Sequence, residues 1–154
     1  MSEKDVTKYF TKLGIQNKII TLNQSAATVA LAAQALNCEE KQIAKSLTFW
    51  LNDQPIMIVC AGNAKVDNKK FKETFGVKAK MLTPLEVETH IGHKVGGVCP
   101  FGIKDGVKVF LDESLKQMEV VYPSAGNVNV VTKLTIEELE KYSNFTKWVC
   151  VTNY

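Results

Sequence analysis

Two apolar runs joined by a short polar turn constrain the fold of this chain most. Residues 46–51 and 56–60 are rich in aromatic and β-branched side chains, which favour strands. Between them lies Asn52-Asp53-Gln54-Pro55, a combination typical of a turn. Other strands also follow one another with no helix between them, which disfavours a purely parallel sheet. The sequence therefore predicts a mixed sheet that can curl into a barrel.

The other elements are predicted from hydrophobic spacing and from helix caps. Apolar residues at helical spacing predict a helix over residues 6–13. Thr83 with Glu86, and Thr135 with Glu138, match capping boxes that begin helices. Further helices are predicted at 26–36, 39–44 and 68–75, strands at 17–22, 79–82, 107–111, 120–122, 128–132 and 148–151, and a turn at 123–127. The predicted fold class is α/β in the mixed α+β sense, as one domain spanning residues 1–154.

Composition excludes several classes of protein. The chain has 154 residues, of which 45% are hydrophobic, enough for a core. No apolar run approaches the roughly 18 residues of a membrane helix, and residues 1–5 are polar, unlike a signal peptide. We therefore expect a cytoplasmic protein with no membrane partner. The four cysteines form no Cys-x-x-Cys pair, so reduced thiols are expected.

The charge balance allows a nucleic-acid partner without requiring one. The net charge is only +3. Lysines nevertheless cluster in the middle of the chain, where they form either a phosphate-binding face or an ordinary solvated surface. The cluster consists of Lys65, Lys69, Lys70, Lys72, Lys78 and Lys80.

Two features carry the chemistry that the sequence suggests. The run Gly96-Gly97-Val98-Cys99-Pro100-Phe101-Gly102 is a glycine-rich turn whose backbone N–H groups can approach a ligand oxygen closely. Lys45 places a cation where the predicted helix 39–44 gives way to an apolar strand. A cation and backbone amides together stabilise a developing oxyanion. Plainer interpretations stay open: a lysine that snorkels from a helix end, and a simple tight turn.

Other chemistries find less support in the residues. No Gly-Lys-Ser/Thr follows the glycines, and their spacing does not fit a dinucleotide fingerprint, so no cofactor is expected. One alternative is that Cys99 acts as a nucleophile with His90 or His93 as its base. The plainer interpretation is that Cys99 is a small buried residue without a catalytic role. His90 and His93, three residues apart, could share a helix face, but further metal ligands at fitting positions are missing, and we expect no metal.

The chain resembles the YbaK/EbsC family, which is related to the editing domain inserted in bacterial prolyl-tRNA synthetases. The resemblance runs roughly over residues 19–151, and it rests on the order and spacing of several blocks. These are Ala44-Lys45-Ser46-Leu47, Ala61-Gly62-Asn63, Val66-Asp67, Lys69-Lys70-Phe71, Gly92, Val95 to Gly102, Asp112 with Leu115, and Ser124-Ala125-Gly126.

This resemblance implies a partly barrel-like central sheet with surrounding helices, and hydrolysis of the ester of mischarged aminoacyl-tRNA in trans. The family's essential lysine falls on Lys45 and its Gly-x-x-x-Pro motif on Gly96 to Pro100. The catalytic residues implied are Lys45, Gly96 and Gly97, and the substrate-binding residues are Ser46, Pro100, Ser124, Gly126 and Leu22.

Two departures from the family leave the amino-acid preference open. Leu22 stands where some relatives carry a tyrosine, and Asn129 where some carry an aspartate. Esters of cysteine, alanine, serine or threonine are all compatible with the sequence. The expected partners are tRNA and an aminoacyl-tRNA synthetase, and not DNA. The alternative function is a non-catalytic module that binds tRNA or a synthetase.

Overall fold

The computed structural model describes residues 2–154, which form five α-helices and ten strands. Helices and strands follow one another in no regular order along the chain, as expected for a mixed α+β fold. They are α1 (Ser2–Leu13), β1 (Ile19–Thr21), α2 (Val29–Leu36), β2 (Ile43–Leu51), β3 (Gln54–Ala61), β4 (Lys65–Val66), α3 (Asn68–Phe75), α4 (Pro84–His90), β5 (Lys108–Asp112), β6 (Val120–Asn127), β7 (Val130–Thr132), β8 (Leu134–Thr135), α5 (Ile136–Ser143), β9 (Lys147–Val149) and β10 (Thr152–Asn153).

The main sheet is mixed and curled into a half-barrel, which confirms the predicted fold class. Its strand order is β1-β7-β6-β2-β3-β5-β9, with β8 paired to β6. The β2–β3 hairpin is antiparallel, whereas β6 on one side of it and β5 on the other run parallel to their hairpin neighbours. Asn52 and Asp53 turn the hairpin at positive φ, a conformation that Asn and Asp tolerate better than most residues.

Strand β3 is the centre of the core. Residues 56–61 are all buried, as expected of a strand covered on both faces. Met57 and Val59 belong to a hydrophobic cluster that includes residues of α1, α4 and α5, while Ile56 and Ile58 belong to a second cluster with Phe71 of α3. The alternation follows from the two-residue period of a strand. The core therefore has two layers, one on each side of the hairpin.

Both predicted capping boxes are present. The Thr83 hydroxyl accepts the Glu86 N–H at 3.2 Å, and the Glu86 carboxylate accepts the Thr83 N–H at 2.8 Å. Thr135 and Glu138 repeat the arrangement at the start of α5. In both boxes, two N–H groups that lack helical partners are satisfied, so each helix begins where the sequence predicts.

Three local predictions are wrong. Residues 39–44 are not a helix: a 3₁₀ turn covers only Glu40–Gln42, and β2 begins at Ile43, because Ile43 and Ala44 pair with β6. Residues 79–82 form a single bridge between Met81 and Phe49 rather than a strand. The predicted turn at 123–127 belongs to β6, where its polar residues lie on both sides of an irregularity in the pairing with β7.

Among residues 2–154, no helix is both long and apolar enough to cross a bilayer.

Candidate functional site

A cavity of about 360 Å³ lies beside β2, and it brings together four of the eight predicted site residues. Lys45 and Ser46 come from β2, Gly96 from the glycine run and Ser124 from β6. These residues lie far apart in sequence, and the parallel pairing of β2 with β6 brings two of the segments together. No described residue that lines this cavity is acidic. The cavity therefore offers one cation and several hydroxyl and backbone groups.

Lys45 is held by backbone oxygens. It is the third residue of β2, pairs with Cys60 of β3, and does not stand at a helix end as predicted. Its ammonium donates to the carbonyl oxygens of Ala64 and, at 3.4 Å, Gly62. An ammonium has three N–H groups. Because no other acceptor in residues 2–154 engages Nζ, one N–H is left for a ligand. Lys45 therefore does not snorkel from a helix end, because its side chain is half-buried and its ammonium makes two hydrogen bonds.

Gly96 forms part of the cavity wall in a conformation that favours glycine. Its φ is +99°, and a Cβ there would lie 2.9 Å from Cγ1 of Val128. Its N–H has no acceptor within residues 2–154. The turn therefore places a residue with an unengaged backbone N–H in the wall of the cavity that Lys45 also lines.

Gly97 differs from Gly96 in its contacts. Its N–H donates to Lys94 O, and its carbonyl accepts the Gly126 N–H, both at 3.0 Å. A Cβ on Gly97 would lie 2.5 Å from backbone atoms of Gly126 and Asn127. Gly97 thus permits the glycine run to cross β6 at close range, and its N–H is already engaged.

The remaining predicted residues do not line the cavity. Leu22 is half-buried, and its backbone bonds with Asn129: the Leu22 N–H donates to Asn129 O at 2.7 Å, and Asn129 Nδ2 donates to Leu22 O at 3.3 Å. Pro100 is a buried residue of the glycine run itself. Gly126 faces α1, where a Cβ would meet Ser2 O at 2.7 Å. The structure therefore does not bring these three residues to the cavity that Lys45 lines.

The serine hydroxyls of the cavity differ in their surroundings. Oγ of Ser46 is buried and has no hydrogen-bond partner within residues 2–154. A buried hydroxyl without a partner is costly, at about 1–3 kcal/mol. Ser124 lies on β6, where it pairs with Val131 of β7, and it also lines the cavity. A ligand with a polar group near Ser46 would remove that cost.

Cys99 lacks the properties of a nucleophile. The side chain is fully buried, and burial raises the pKa of its thiol to about 12. Sγ lies 3.5 Å from Nε2 of His93, but that nitrogen also lies 2.7 Å from Phe101 O. Burial lowers the pKa of His93. Because the thiolate is the reactive form, this buried, protonated thiol does not support the cysteine-nucleophile interpretation.

The two histidines do not form a metal site. His90 ends α4 on the surface with its ring 5.0 Å from that of Trp50, whereas His93 is buried beyond the helix end and bonds to Ser2 Oγ at 2.5 Å. The predicted shared helix face is therefore wrong. No group of three or more His, Cys, Asp or Glu side chains within residues 2–154 is arranged to hold a metal ion.

A larger cleft of about 1040 Å³ lies on the other side of the glycine run. It is bounded by the start of α1, and its charged lining mixes both signs, with Asp5 and Glu88 beside Lys94 and Lys104. It contains neither Lys45 nor Ser46. The smaller cavity, and not this cleft, is the candidate site, because a cation, an unengaged amide and an unpartnered hydroxyl meet there.

The curled mixed sheet and the lysine–glycine cavity agree with an editing fold, and residues 23–142 match the family model described as the aminoacyl-tRNA editing domain. The chain belongs to this family. It is 45% identical to the uncharacterized protein YwhH of Bacillus subtilis (strain 168), over 98% of this chain and 97% of that protein.

Two further proteins, one compared by sequence and one by structure, are similar to this chain. A candidate Cys-tRNA(Pro)/Cys-tRNA(Cys) deacylase, EbsC of Enterococcus faecalis (strain ATCC 700802 / V583), is 30% identical over 73% of this chain and 70% of that protein. A crystal structure of a candidate trans-editing enzyme for prolyl tRNA synthetase superimposes with a TM-score of 0.88, at 27% identity and covering 99% of this chain and 98% of that one. The resemblance to the YbaK/EbsC family is thereby confirmed.

The sequence did not reveal what holds Lys45. The carbonyls of Gly62 and Ala64 carry no side-chain signal, since every residue has a carbonyl. The loop was visible as Ala61-Gly62-Asn63-Ala64, but its direction toward β2 depends on the hairpin register. That register pairs Ala44 with Ala61, which brings the loop to the same end of the hairpin as Lys45.

Proposed function

We propose that this protein hydrolyses the ester bond of mischarged aminoacyl-tRNA in trans, as an editing enzyme of its family. The observation that carries the proposal is the ammonium of Lys45, which has one N–H left over and lies on the same cavity as the unengaged N–H of Gly96. Two unengaged donors on residues that line one cavity suit an ester carbonyl whose oxygen becomes negative during hydrolysis.

The chemical step needs no nucleophile from the chain. Water attacks the carbonyl carbon and gives up a proton, so that its oxygen becomes part of the released carboxyl group. The bond to the ribose 3′-oxygen breaks, and that oxygen takes up a proton. Lys45 stabilises the negative charge on the carbonyl oxygen and orients the terminal nucleotide, while Gly96 contributes a backbone donor. Removing one such donor typically costs about 3–4 kcal/mol of transition-state stabilisation.

The cavity favours a small, uncharged acyl side chain. Its volume of about 360 Å³ must hold the aminoacyl group and part of the ribose. The lining is largely apolar, with hydroxyls from Ser46 and Ser124 and no acidic side chain. Cysteine, alanine, serine and threonine esters fit this description. A difference of one methylene contributes only about 1–3 kcal/mol to discrimination, so the preferred ester must be measured.

The proposed partner is the acceptor end of tRNA, in the cytoplasm. Exposed lysines of α3 and its surroundings, such as Lys69 and Lys72, are available for phosphate contacts. The matched proline–tRNA ligase of Lactiplantibacillus plantarum is 30% identical over 59% of this chain, and the matched segment makes up 16% of the ligase. That likeness supports an aminoacyl-tRNA synthetase as a second partner.

The test is deacylation of tRNAs charged with Cys, Ala, Ser, Thr and Pro, using wild type, Lys45→Ala and Lys147→Ala. Lys147 is also a strand lysine, but it is exposed at the sheet edge and serves as the matched control. We expect selective hydrolysis by wild type and Lys147→Ala, and a loss of at least ~100-fold in Lys45→Ala. Tight tRNA binding without hydrolysis of any ester would instead identify a binding module.

A further inference from the structure

The position of the Lys45 ammonium depends on one short loop. Two of its three N–H groups donate to carbonyl oxygens of that loop, at Gly62 and Ala64. The direction of the third N–H, which is left for a ligand, depends on those two bonds. Whatever fixes the loop therefore aims the lysine.

The loop is pressed against its neighbours from one side. A Cβ on Gly62 would lie 2.1 Å from Glu40 O and 2.7 Å from Cγ1 of Val29, so the backbone of Gly62 makes close contact there. Farther along, Asn63 Oδ1 accepts from Gln117 Nε2 at 3.3 Å. The close approach at Gly62 limits movement of the loop toward Glu40 and Val29, and the element that carries Gln117 also holds the start of the loop.

That element is the turn after β5. The hydroxyl of Ser114 accepts the N–H of Ala61 at 3.0 Å, at the end of β3 where the loop begins. Ser114 is fully buried, and its own N–H donates to Oδ2 of Asp112 at 3.0 Å. Asp112 is itself fully buried and accepts the Val151 N–H at 2.9 Å and the Thr152 hydroxyl at 2.6 Å.

We propose that Ser114 is a positioning residue for Lys45: held by Asp112, its hydroxyl fixes the start of loop 61–64 and so the two carbonyls that orient the ammonium. The inference rests on the proposed hydrolysis for its catalytic consequence. Ser114 does not line the cavity, so it contacts no substrate. A misplacement of about 1 Å in a reacting group can cost on the order of 100-fold in rate.

The matched variants are Ser114→Ala and Ser143→Ala. Both remove the hydroxyl of a buried serine, but Oγ of Ser143 has no hydrogen-bond partner within residues 2–154. We expect Ser114→Ala to lower kcat by roughly 10- to 100-fold with little change in KM. Ser143→Ala is expected to hydrolyse at the wild-type rate. Ser114→Cys, close in shape but a weaker acceptor, is expected to fall between the two.

A double-mutant cycle separates positioning from a general structural effect. If Ser114 acts through Lys45, adding Ser114→Ala to Lys45→Ala slows hydrolysis no further. Equal fold-losses in the presence and absence of Lys45 would overturn the inference. Ser114→Cys supplies the same cycle if the alanine variant does not fold.

A second measurement does not depend on activity. Acetic anhydride labels lysine amines, and peptide mass spectrometry reports the rate at Lys45. We expect faster labelling of Lys45 in Ser114→Ala than in wild type or Ser143→Ala, because its carbonyl partners are released. Unchanged labelling would refute the positioning role. Hydrolysis of no ester by the wild type would refute the proposed function instead, and the labelling result would still decide whether Ser114 orients Lys45.

Discussion

A glycine can be required because a Cβ would clash with neighbouring atoms or because the backbone has a positive φ, and a pair of substitutions separates these two reasons. Gly97 has no positive φ, but a Cβ there would lie 2.5 Å from the carbonyl carbon of Gly126 and from Asn127 N. Gly106 has a φ of +88° and open space within 4 Å of its Cβ position. Gly97→Ala thus tests a purely steric requirement, and Gly106→Ala a purely conformational one.

The expected magnitudes differ. In Gly97→Ala the two backbones must separate by roughly 1 Å, because 2.5 Å is far inside ordinary van der Waals contact. That breaks the 3.0 Å bond from Gly126 N–H to Gly97 O. Overpacking costs about 1–3 kcal/mol, and an unsatisfied buried N–H about 1–3 kcal/mol more. We expect a loss of roughly 4 kcal/mol for Gly97→Ala, against about 1–2 kcal/mol for Gly106→Ala, where a Cβ is placed in the left-handed region.

The assay is urea unfolding followed by circular dichroism, with the free energy of unfolding compared at a common slope. For a protein of this size, 1 kcal/mol corresponds to about 2–4 °C in Tm, so the two variants separate clearly in thermal scans as well. A Gly97→Ala variant no less stable than Gly106→Ala would refute the argument that the glycine run needs Gly97 to cross β6 closely.

Three further outcomes are expected. Cys99→Ala retains hydrolysis, and a thiol reagent modifies exposed Cys150 in the folded protein while Cys99, with a thiol pKa of about 12, stays unmodified. The free energy of unfolding falls as pH drops from about 7 to 5: burial lowers the pKa of folded His93, so the unfolded chain, with a His pKa of about 6.5, takes up the proton first. His93→Gln removes this component of the slope. Affinity for tRNA, measured by filter binding, falls as salt rises.

Each of these outcomes has a clear opposite. Inactivation by Cys99→Ala would restore the cysteine-nucleophile interpretation. An unchanged slope in His93→Gln would show that other groups cause the pH dependence. Hydrogen bonds lower the pKa values of Asp67, Glu86 and Glu138, so these carboxylates lose their contribution at a lower pH than the histidine does. An affinity for tRNA that ignores salt would argue against phosphate contacts by lysines.

Local signals made parts of the fold predictable. The hairpin of β2 and β3 follows from two apolar runs around one turn, and α4 and α5 begin at capping boxes whose chemistry is complete within four residues. The predicted turn at 123–127 failed because Pro, Ser, Gly and Asn are turn residues only by local preference. Pairing of Ser124 with Val131 keeps the segment extended in β6. Tertiary pairing outweighed composition there.

The site was predictable in its side chains and not in its backbone. Lys45 and Gly96 stand out by residue type, and the structure brings both to one cavity. The division of labour between Gly96 and Gly97 depends on which N–H is already bonded, which only the three-dimensional crossing with β6 determines. The support of Lys45 by two carbonyls likewise comes from loop geometry.

The contact of α1 with the glycines sets a limit on how far this domain can be trimmed. Ser2 O lies only 2.7 Å from where a Cβ of Gly126 would be, and Asp5 O only 2.8 Å from where a Cβ of Gly102 would be. Phe10 packs edge-on against Phe101 with ring centroids 4.9 Å apart. All of α1 precedes the family-matched residues 23–142. A fragment cut at those bounds would expose Phe101 to water and remove the backing of the cavity wall. The segment matched by the family model is thus shorter than the segment needed for a stable fold. Substitutions in α1 offer a way to alter the candidate cavity without changing a residue that lines it.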